Sequence, residues 1–495
     1  MKIEFMKLKK TVTPNPIPDY EKGFPDLFNR LTTILFSILF LCNISFLLLN
    51  FDHQQWNLWG LLRINGFTLL IWTVVSFFSA VASSYSATYL KGFKYHARFT
   101  SFCFGFTIAV MLLVASDHVV LLLMSWVLMG FFMSRLIGVD ADWVEAREAS
   151  RFAQKHFLAS GILLTMGVLL LTFNSGCYKI SAMTALFGNL SSPVMLVSAI
   201  FIITAALIQS AIYPFHRWLL SAMTAPTPAS ALMHAGFVNG SGILLTIFAA
   251  LLLKTQTLTL LFIVGGITAI IAQFTKLLQT SIKQKLACST IAQMGFMIMQ
   301  CGLGFFNAAV VHLILHGFYK AYLFLSSGEN IQASAPKKPL PIQIRPLQAV
   351  AVIVAGILGA LIFATLTGKG TSLNSGIFLT LIVAITVGQA TYNIVKQSSL
   401  SNKQKVFLPL LLFPFGIACY ALMYNEVNIL IKDMPAVDVP SSISLIQIFF
   451  GAVFLAGFFI MKLGIYKKVP WIYVKLLNVS QPYKRTILMS KNKSI

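Results

Sequence analysis

Carboxylates are scarce in this sequence, and where they are missing matters more than their number. Fourteen Asp and Glu stand against 37 Lys and Arg, a formal net charge of +23. None of the fourteen lies inside an apolar run; Asp117 and Glu329 come nearest, at the ends of runs. An ion path through those runs would have to work without a buried carboxylate. Cysteine is also sparse. The six (Cys42, Cys103, Cys177, Cys288, Cys301, Cys419) form no CxxC pair and no metal-ligand spacing. Five of them sit in or beside apolar runs, where a thiol behaves as a small hydrophobe. No redox or metal centre is expected. No glycine-rich phosphate loop follows a strand, so no nucleotide site is expected either. Charged residues make up only 10% of the chain while 57% is hydrophobic, and no water-soluble domain has interior enough to hide that much apolar surface.

What is present is a series of helix-length apolar stretches. At ~20 apolar residues per crossing, about fourteen spans are predicted. They lie near 31–50, 67–87, 99–117, 119–138, 157–175, 192–214, 229–253, 259–279, 286–304, 306–327, 347–366, 375–395, 406–424 and 445–464. The expected class is an all-α polytopic membrane protein. Lys and Arg gather in every second loop, as in Lys91, Lys94 and Arg98, then Arg147, Arg151 and Lys155, then Lys276, Lys283 and Lys285. The intervening loops are nearly free of cations, and 425–443 carries Glu426, Asp433 and Asp438. That alternation is the positive-inside pattern; it places both termini in the cytoplasm and accounts for the net charge without nucleic acid. Residues 1–30 form a polar cytoplasmic N-terminus and 31–465 the multi-span domain. The first apolar run is too long and starts too late for a cleavable signal peptide. The basic tail 466–495, with Trp471 and Tyr473, suits either an interfacial segment beside anionic membrane lipid or a disordered end.

One run carries ionisable groups. In 305–327, FFNAAVVHLILHGFYKAYLFLSS, His312, His316 and Lys320 stand at i, i+4 and i+8, a stripe along one helix face. A lysine near the bilayer centre costs roughly 2.5–3.5 kcal/mol, so an ion path inside a helix bundle is the default expectation. The alternative is a set of satisfied side chains packed against carbonyls. Two crossings are also punctuated. Near 209–231, Pro214 removes a helix donor, and Pro226 and Pro228 force extended backbone. In LIFATLTGKGTSLNSG, Gly368 and Gly370 bracket Lys369. Broken helices in corresponding positions are the usual pointer to an inverted-repeat transporter, with an ordinary span boundary as the plainer reading.

Three segments in order carry a resemblance. Pro214-Phe-His-Arg-Trp-Leu followed by Ala225-Pro-Thr-Pro-Ala-Ser-Ala-Leu-Met-His-Ala-Gly is the first. Lys283-Gln-Lys-Leu-Ala-Cys-Ser-Thr-Ile-Ala-Gln-Met-Gly-Phe-Met is the second, and His312-Leu-Ile-Leu-His-Gly-Phe-Tyr-Lys-Ala-Tyr-Leu-Phe-Leu-Ser-Ser-Gly the third. Together they resemble the proton-pumping antiporter-like subunits of respiratory complex I and the Mrp antiporters, over roughly residues 60–395. The resemblance implies antiporter-like inverted repeats with broken helices and half-channels near 99–253 and 259–395. It implies ion translocation by Lys320, Lys369, His316, His312 and His234, with Gln209, Pro214 and His216 on the broken-helix pathway.

The departures are specific. Where the family has Trp-Glu, this chain has Trp126-Val127, and where the family has Lys-Ser-Ala it has Gln209-Ser210-Ala211. The first half has lost both charges, while Lys320, Lys369, His234, His312 and His316 remain. With His234-Ala-Gly-Phe-Val-Asn-Gly-Ser-Gly and no long lateral helix, the pattern is most similar to the DabB-type membrane subunits of inorganic-carbon accumulation systems. That resemblance implies a subunit of the bacterial inner membrane that conducts protons or sodium. It would power a large cytoplasmic DabA-type partner, a zinc protein resembling β-carbonic anhydrases. No cofactor and no enzymatic site are expected in this chain. The alternatives are a proton-translocating subunit of an NADH–quinone oxidoreductase-like complex, an Mrp-type cation/proton antiporter subunit, and a non-conducting scaffold.

Overall fold

The structure is a computed structural model that describes residues 24–49, 55–328, 346–395, 401–463, 466 and 468–487. The first 23 residues, the basic loop with Lys337, Lys338 and Arg345, and Glu329 lie outside the described residues. The chain opens with α1 (Phe24–Leu49), a two-stranded hairpin of β1 (Trp56–Leu58) and β2 (Leu62–Ile64), and α2 (Gly66–Tyr89). Next come α3 (His96–Ala115), α4 (Val119–Ile137), α5 (Val144–Ser175), α6 (Ile180–Leu186) and α7 (Ser192–Gln209). A fragmented stretch follows, made of α8 (Arg217–Ser221), α9 (Thr227–Ala235), α10 (Gly240–Ile247) and α11 (Ala249–Lys254). Long helices then resume with α12 (Leu258–Leu278), α13 (Ile282–Gly302), α14 (Phe306–Leu325), α15 (Pro346–Thr367), α16 (Gly376–Val395), α17 (Asn402–Leu430) and α18 (Leu445–Leu463). The short α19 (Pro470–Val479) closes the series.

Among the described residues, ten helical segments are long and apolar enough to cross a membrane, which makes this a multi-pass membrane protein. Each is a helix because lipid offers no partner for backbone N–H and C=O groups. Helices α13, α15, α16 and α18 occupy the other four expected ranges but do not meet the same test. The crossings pair as antiparallel neighbours, α1 on α2, α3 on α4, α12 on α13 and α15 on α16.

Two sequence expectations change. The glycines around Lys369 do not interrupt a helix: Gly368 (φ +67°) and Gly370 (φ +81°) shape the loop between α15 and α16. The segment 425–443 is not wholly a loop either, because α17 runs on to Leu430 and carries Glu426. That glutamate is exposed, so the helix holds a carboxylate without burying it.

The link 431–444 between α17 and α18 straps the ends of both halves. Asp433 accepts from Arg63 at 3.0 Å and Asn65 at 2.7 Å, beside the hairpin. Backbone bonds tie Val437 to Phe306 and Asn307, and Val439 to Gly304. Gly304 is required there. Its φ is +86°, and a Cβ would come within 2.1 Å of the Val439 carbonyl oxygen. At the other, basic end of the bundle, α19 and the turn after it dock on α12 and α5.

Candidate functional site

The break at 209–231 is real and has two parts. Helix α7 ends at Gln209, and Ala211 takes φ +55°, a left-handed turn that aims the chain into α8. Pro214 lies in this non-helical link, where its missing N–H leaves no ladder bond unmade. Pro226 is extended (ψ 151°), and Pro228 sits in the first turn of α9, where a proline costs nothing. The second part lies two residues past His234. Gly236 leaves helical geometry (φ −122°, ψ −62°), and Phe237–Asn239 form a 3-10 turn before α10 resumes. The two breaks are bonded to each other, since the Ser210 hydroxyl meets the Val238 carbonyl and the Ser241 hydroxyl. Asn239 carries the connection onward by donating to Ala235 O at 2.8 Å and to Leu313 O of α14 at 3.1 Å.

This arrangement seats His234 against α14. Its ring stacks on Phe324 at 4.3 Å, and it lies within electrostatic range of Lys320 and His316. Lys320 is fully buried, and its Nζ donates to Leu286 O of α13 at 3.0 Å. The rings of His312 and His316 lie 6.2 Å apart along α14; His316 is buried and His312 half-buried. Both ring nitrogens of His234 and of His316 lack a hydrogen-bond partner among the described residues. A buried polar group left unpaired costs about 1–3 kcal/mol unless water serves it, so this cluster is a part of the interior suited to water. From Lys320 the cations continue to Lys276 and then Lys285, at the basic end. The structure therefore joins four of the expected residues, His234, His312, His316 and Lys320, into one polar line.

Lys320 lies five residues before Leu325, the last residue of α14, or about 7.5 Å from that end of the helix at 1.5 Å per residue. Lys369 is displaced from the cluster. It stands at the opposite end, where its Nζ contacts both oxygens of Asp438 at 2.7 and 2.9 Å and lies 4.9 Å from the Phe305 ring centre. Tyr424, close to Asp438, accepts from Asn307 of α14 at 3.0 Å. His216 belongs to neither group. It donates from Nε2 to the Val479 carbonyl at 2.8 Å, and burial pushes its imidazole down to about 4, which keeps it neutral. Gln209 is buried, with its side-chain nitrogen unpartnered among the described residues.

The first half has a different interior. Trp126 donates to Ser160 at 3.1 Å, and Ser160 donates to Ala205 O at 2.8 Å. Val127 faces outward, 41% exposed. Around the unwound turn, Phe237 packs against Phe157 at 4.5 Å, Trp218 at 5.7 Å and Phe106 at 6.2 Å, all four buried. Through Phe157 this aromatic cluster packs α5 against the unwound turn. Sequence reasoning missed Asn239, Phe237 and Asp438. The closely spaced glycines 236, 240 and 242 were the available signal for the second break; nothing local marked Asp438 as the partner of Lys369.

A family described as "NADH:quinone oxidoreductase/Mrp antiporter, TM" matches residues 116–392, more than half of the chain. The chain belongs to that family. It is 35% identical over 308 residues to a probable inorganic carbon transporter subunit DabB of Bacillus anthracis, covering 60% of this chain and 59% of that protein. It is 31% identical over 285 residues to NADH-quinone oxidoreductase subunit L of Rickettsia bellii, covering 54% and 44%. The chain thus spans about half the length of the curated relatives it matches. Its fold is similar to a chain in the structure of the Mrp complex from Dietzia sp. DQ12-45-1b, with a TM-score of 0.63 at 21% identity, covering 90% of this chain and 56% of that one. Within this antiporter-like family, the buried lysine and histidines of α9 and α14 are this chain's functional candidates, and the first-half charges are absent.

Proposed function

We propose that this chain is the membrane subunit of an energy-coupled inorganic-carbon uptake complex, conducting protons or sodium through its second half. The observation that carries the reading is the line from His234 and His316 to Lys320, buried, unpaired at four ring nitrogens and free of carboxylates. The likeness to DabB-named subunits supplies the substrate class. In this reading the complex sits in a bacterial inner membrane with the basic loops in the cytoplasm. There a DabA-type zinc protein resembling β-carbonic anhydrases hydrates carbon dioxide, and ion flow through this subunit makes the hydration one-way. Lys320 relays by losing and regaining a proton, which its buried setting permits. The zinc belongs to the partner; among the described residues of this chain no three His, Cys, Asp or Glu converge as metal ligands.

The test is expression with and without the neighbouring large soluble protein in a strain lacking carbonic anhydrase, scored by growth in air and by zinc in the co-purified complex. The expected result is rescue only by the pair. Rescue by this chain alone would overturn the reading. Co-purification with quinone-oxidoreductase subunits would favour the second reading, a proton-translocating subunit, which the likeness to subunit L supports.

A further inference from the structure

At the basic end of α3, α4 and α5 lies a cavity of about 470 Å³ with four arginines in its wall: Arg98, Arg135, Arg147 and Arg151. No carboxylate lines it. Glu148 pairs with Arg151 at 2.7 Å and lies 3.9 Å from Arg485, while Asp142 is held by Lys94 at 3.3 Å and lies within electrostatic range of Arg147. Among the described residues no carboxylate stands within ion-pair distance of Arg98, Arg135 or Arg147. Two of these guanidiniums are positioned by aromatic faces, Arg135 at 5.1 Å from the Phe131 ring centre and Arg98 at 5.0 Å from that of Tyr95. One helical turn deeper than Arg98 and Arg135, Phe102 on α3 and Phe131 on α4 also line the cavity, and Phe131 is exposed on the outer face of the bundle.

We propose that this cavity binds the phosphate headgroup of an anionic glycerophospholipid. Guanidinium groups suit phosphate oxygens, which they hold through paired N–H donors, and a basic pocket at the membrane boundary between helices is where such headgroups lodge. The phenylalanines decide for a lipid over a free anion. They continue the cavity from its charged mouth toward the apolar belt, where acyl chains lie and where an inorganic ion would make no use of them. The site is separate from the Lys320 line and makes no claim on ion conduction. Its role is to anchor the α3–α5 end of the subunit to anionic lipid.

The test uses the purified full chain in phosphatidylcholine nanodiscs, with phosphatidylglycerol titrated in and bound lipid counted by native mass spectrometry. The Arg98→Gln, Arg135→Gln, Arg147→Gln triple variant is compared with an equal loss of charge elsewhere on the basic side, Lys405→Gln, Lys468→Gln, Lys475→Gln. At roughly threefold per exposed arginine, the first triple should bind phosphatidylglycerol about thirtyfold more weakly, and the second should stay within about threefold of the parent. Equal weakening in both would show attraction by the whole face and overturn the site. Unchanged binding in the arginine triple would overturn it too. Inorganic phosphate displacing the lipid at equal concentration would overturn its assignment to a lipid. Thermal unfolding of each variant in the same nanodiscs confirms that the comparison is between folded proteins.

Discussion

The two halves of the bundle solve the problem of burying polar groups differently. Where α4, α5 and α7 meet in the first half, an indole and a hydroxyl are bonded in a short chain from Trp126 through Ser160 to the Ala205 carbonyl, while Gln209 at the end of α7 is buried with its side-chain nitrogen unpartnered among the described residues. Three aromatic rings, those of Phe106, Phe157 and Trp218, close around Phe237. Where α14 of the second half meets α9, a lysine and two histidines are buried, Lys320 satisfied through Leu286 O, and His316 and the facing His234 with ring nitrogens unpartnered among the described residues. A hydroxyl chain ending on a backbone carbonyl has no basic group that takes up and releases a proton, whereas imidazole and amine side chains are such groups. The contrast shows what stands where the family has first-half charges: an outward-facing Val127 and a neutral, buried Gln209, beside a bonded chain at Trp126 and Ser160.

The sharpest way to break that contrast is at Lys320. Lys320→Ala should reduce uptake to the vector background while the protein still inserts and keeps its partner. Lys320→Arg should not restore it, because a guanidinium stays protonated and cannot hand on a proton. Uptake divided by membrane protein level is the measurement. Near-normal uptake by Lys320→Ala would make the lysine structural and favour a scaffold role.

Much of this was legible in the sequence, for reasons that differ by element. The long apolar runs and the i, i+4, i+8 stripe on α14 needed only composition and helical period, and both are where expected. Lys369 looked interior because two glycines beside a lysine are the same signal in a broken helix and in a loop between helices. Only its partner separates them, and Asp438 is 69 residues away. The break after His234 was hidden by the prolines upstream, which are stronger signals and turned out to begin α9.

The second way to press the comparison is to put a charge back. Val127 faces outward at mid-helix, so Val127→Glu sets a carboxylate toward the apolar surroundings and not into the interior. At about 3 kcal/mol for a charge at a helix centre, membrane protein level should drop severalfold. Adding Gln209→Lys should not raise uptake per molecule. A gain in uptake by the double variant would mean that the first half is a channel lacking only its charges.

A smaller effect is expected at the far end of the second half. Lys369 and Asp438 form a part-buried pair, so Lys369→Ala should cut uptake a few-fold and lower stability by about 1 kcal/mol, leaving Asp438 unpaired beside Tyr424. Lys369→Ala combined with Asp438→Ala should recover most of the loss, as a double-mutant cycle on uptake and thermal unfolding will show. Complete loss in Lys369→Ala without recovery in the double variant would return Lys369 to the conducting path and extend that path through the outer mouth.

The smallest effect belongs to the first half itself. Ser160→Ala removes the acceptor of the Trp126 indole and the donor to Ala205 O, both buried. The expected cost is about 1–2 kcal/mol of stability, since one buried N–H is left unpaired while the carbonyl keeps its helical partner. Uptake per molecule should stay within about twofold, because no proton has to pass through a chain that ends on a carbonyl. Thermal unfolding and uptake are measured on the same membranes so that the two effects separate. A large fall in uptake at unchanged protein level would place a proton route through Ser160, and the first half would then be a working channel built from hydroxyls.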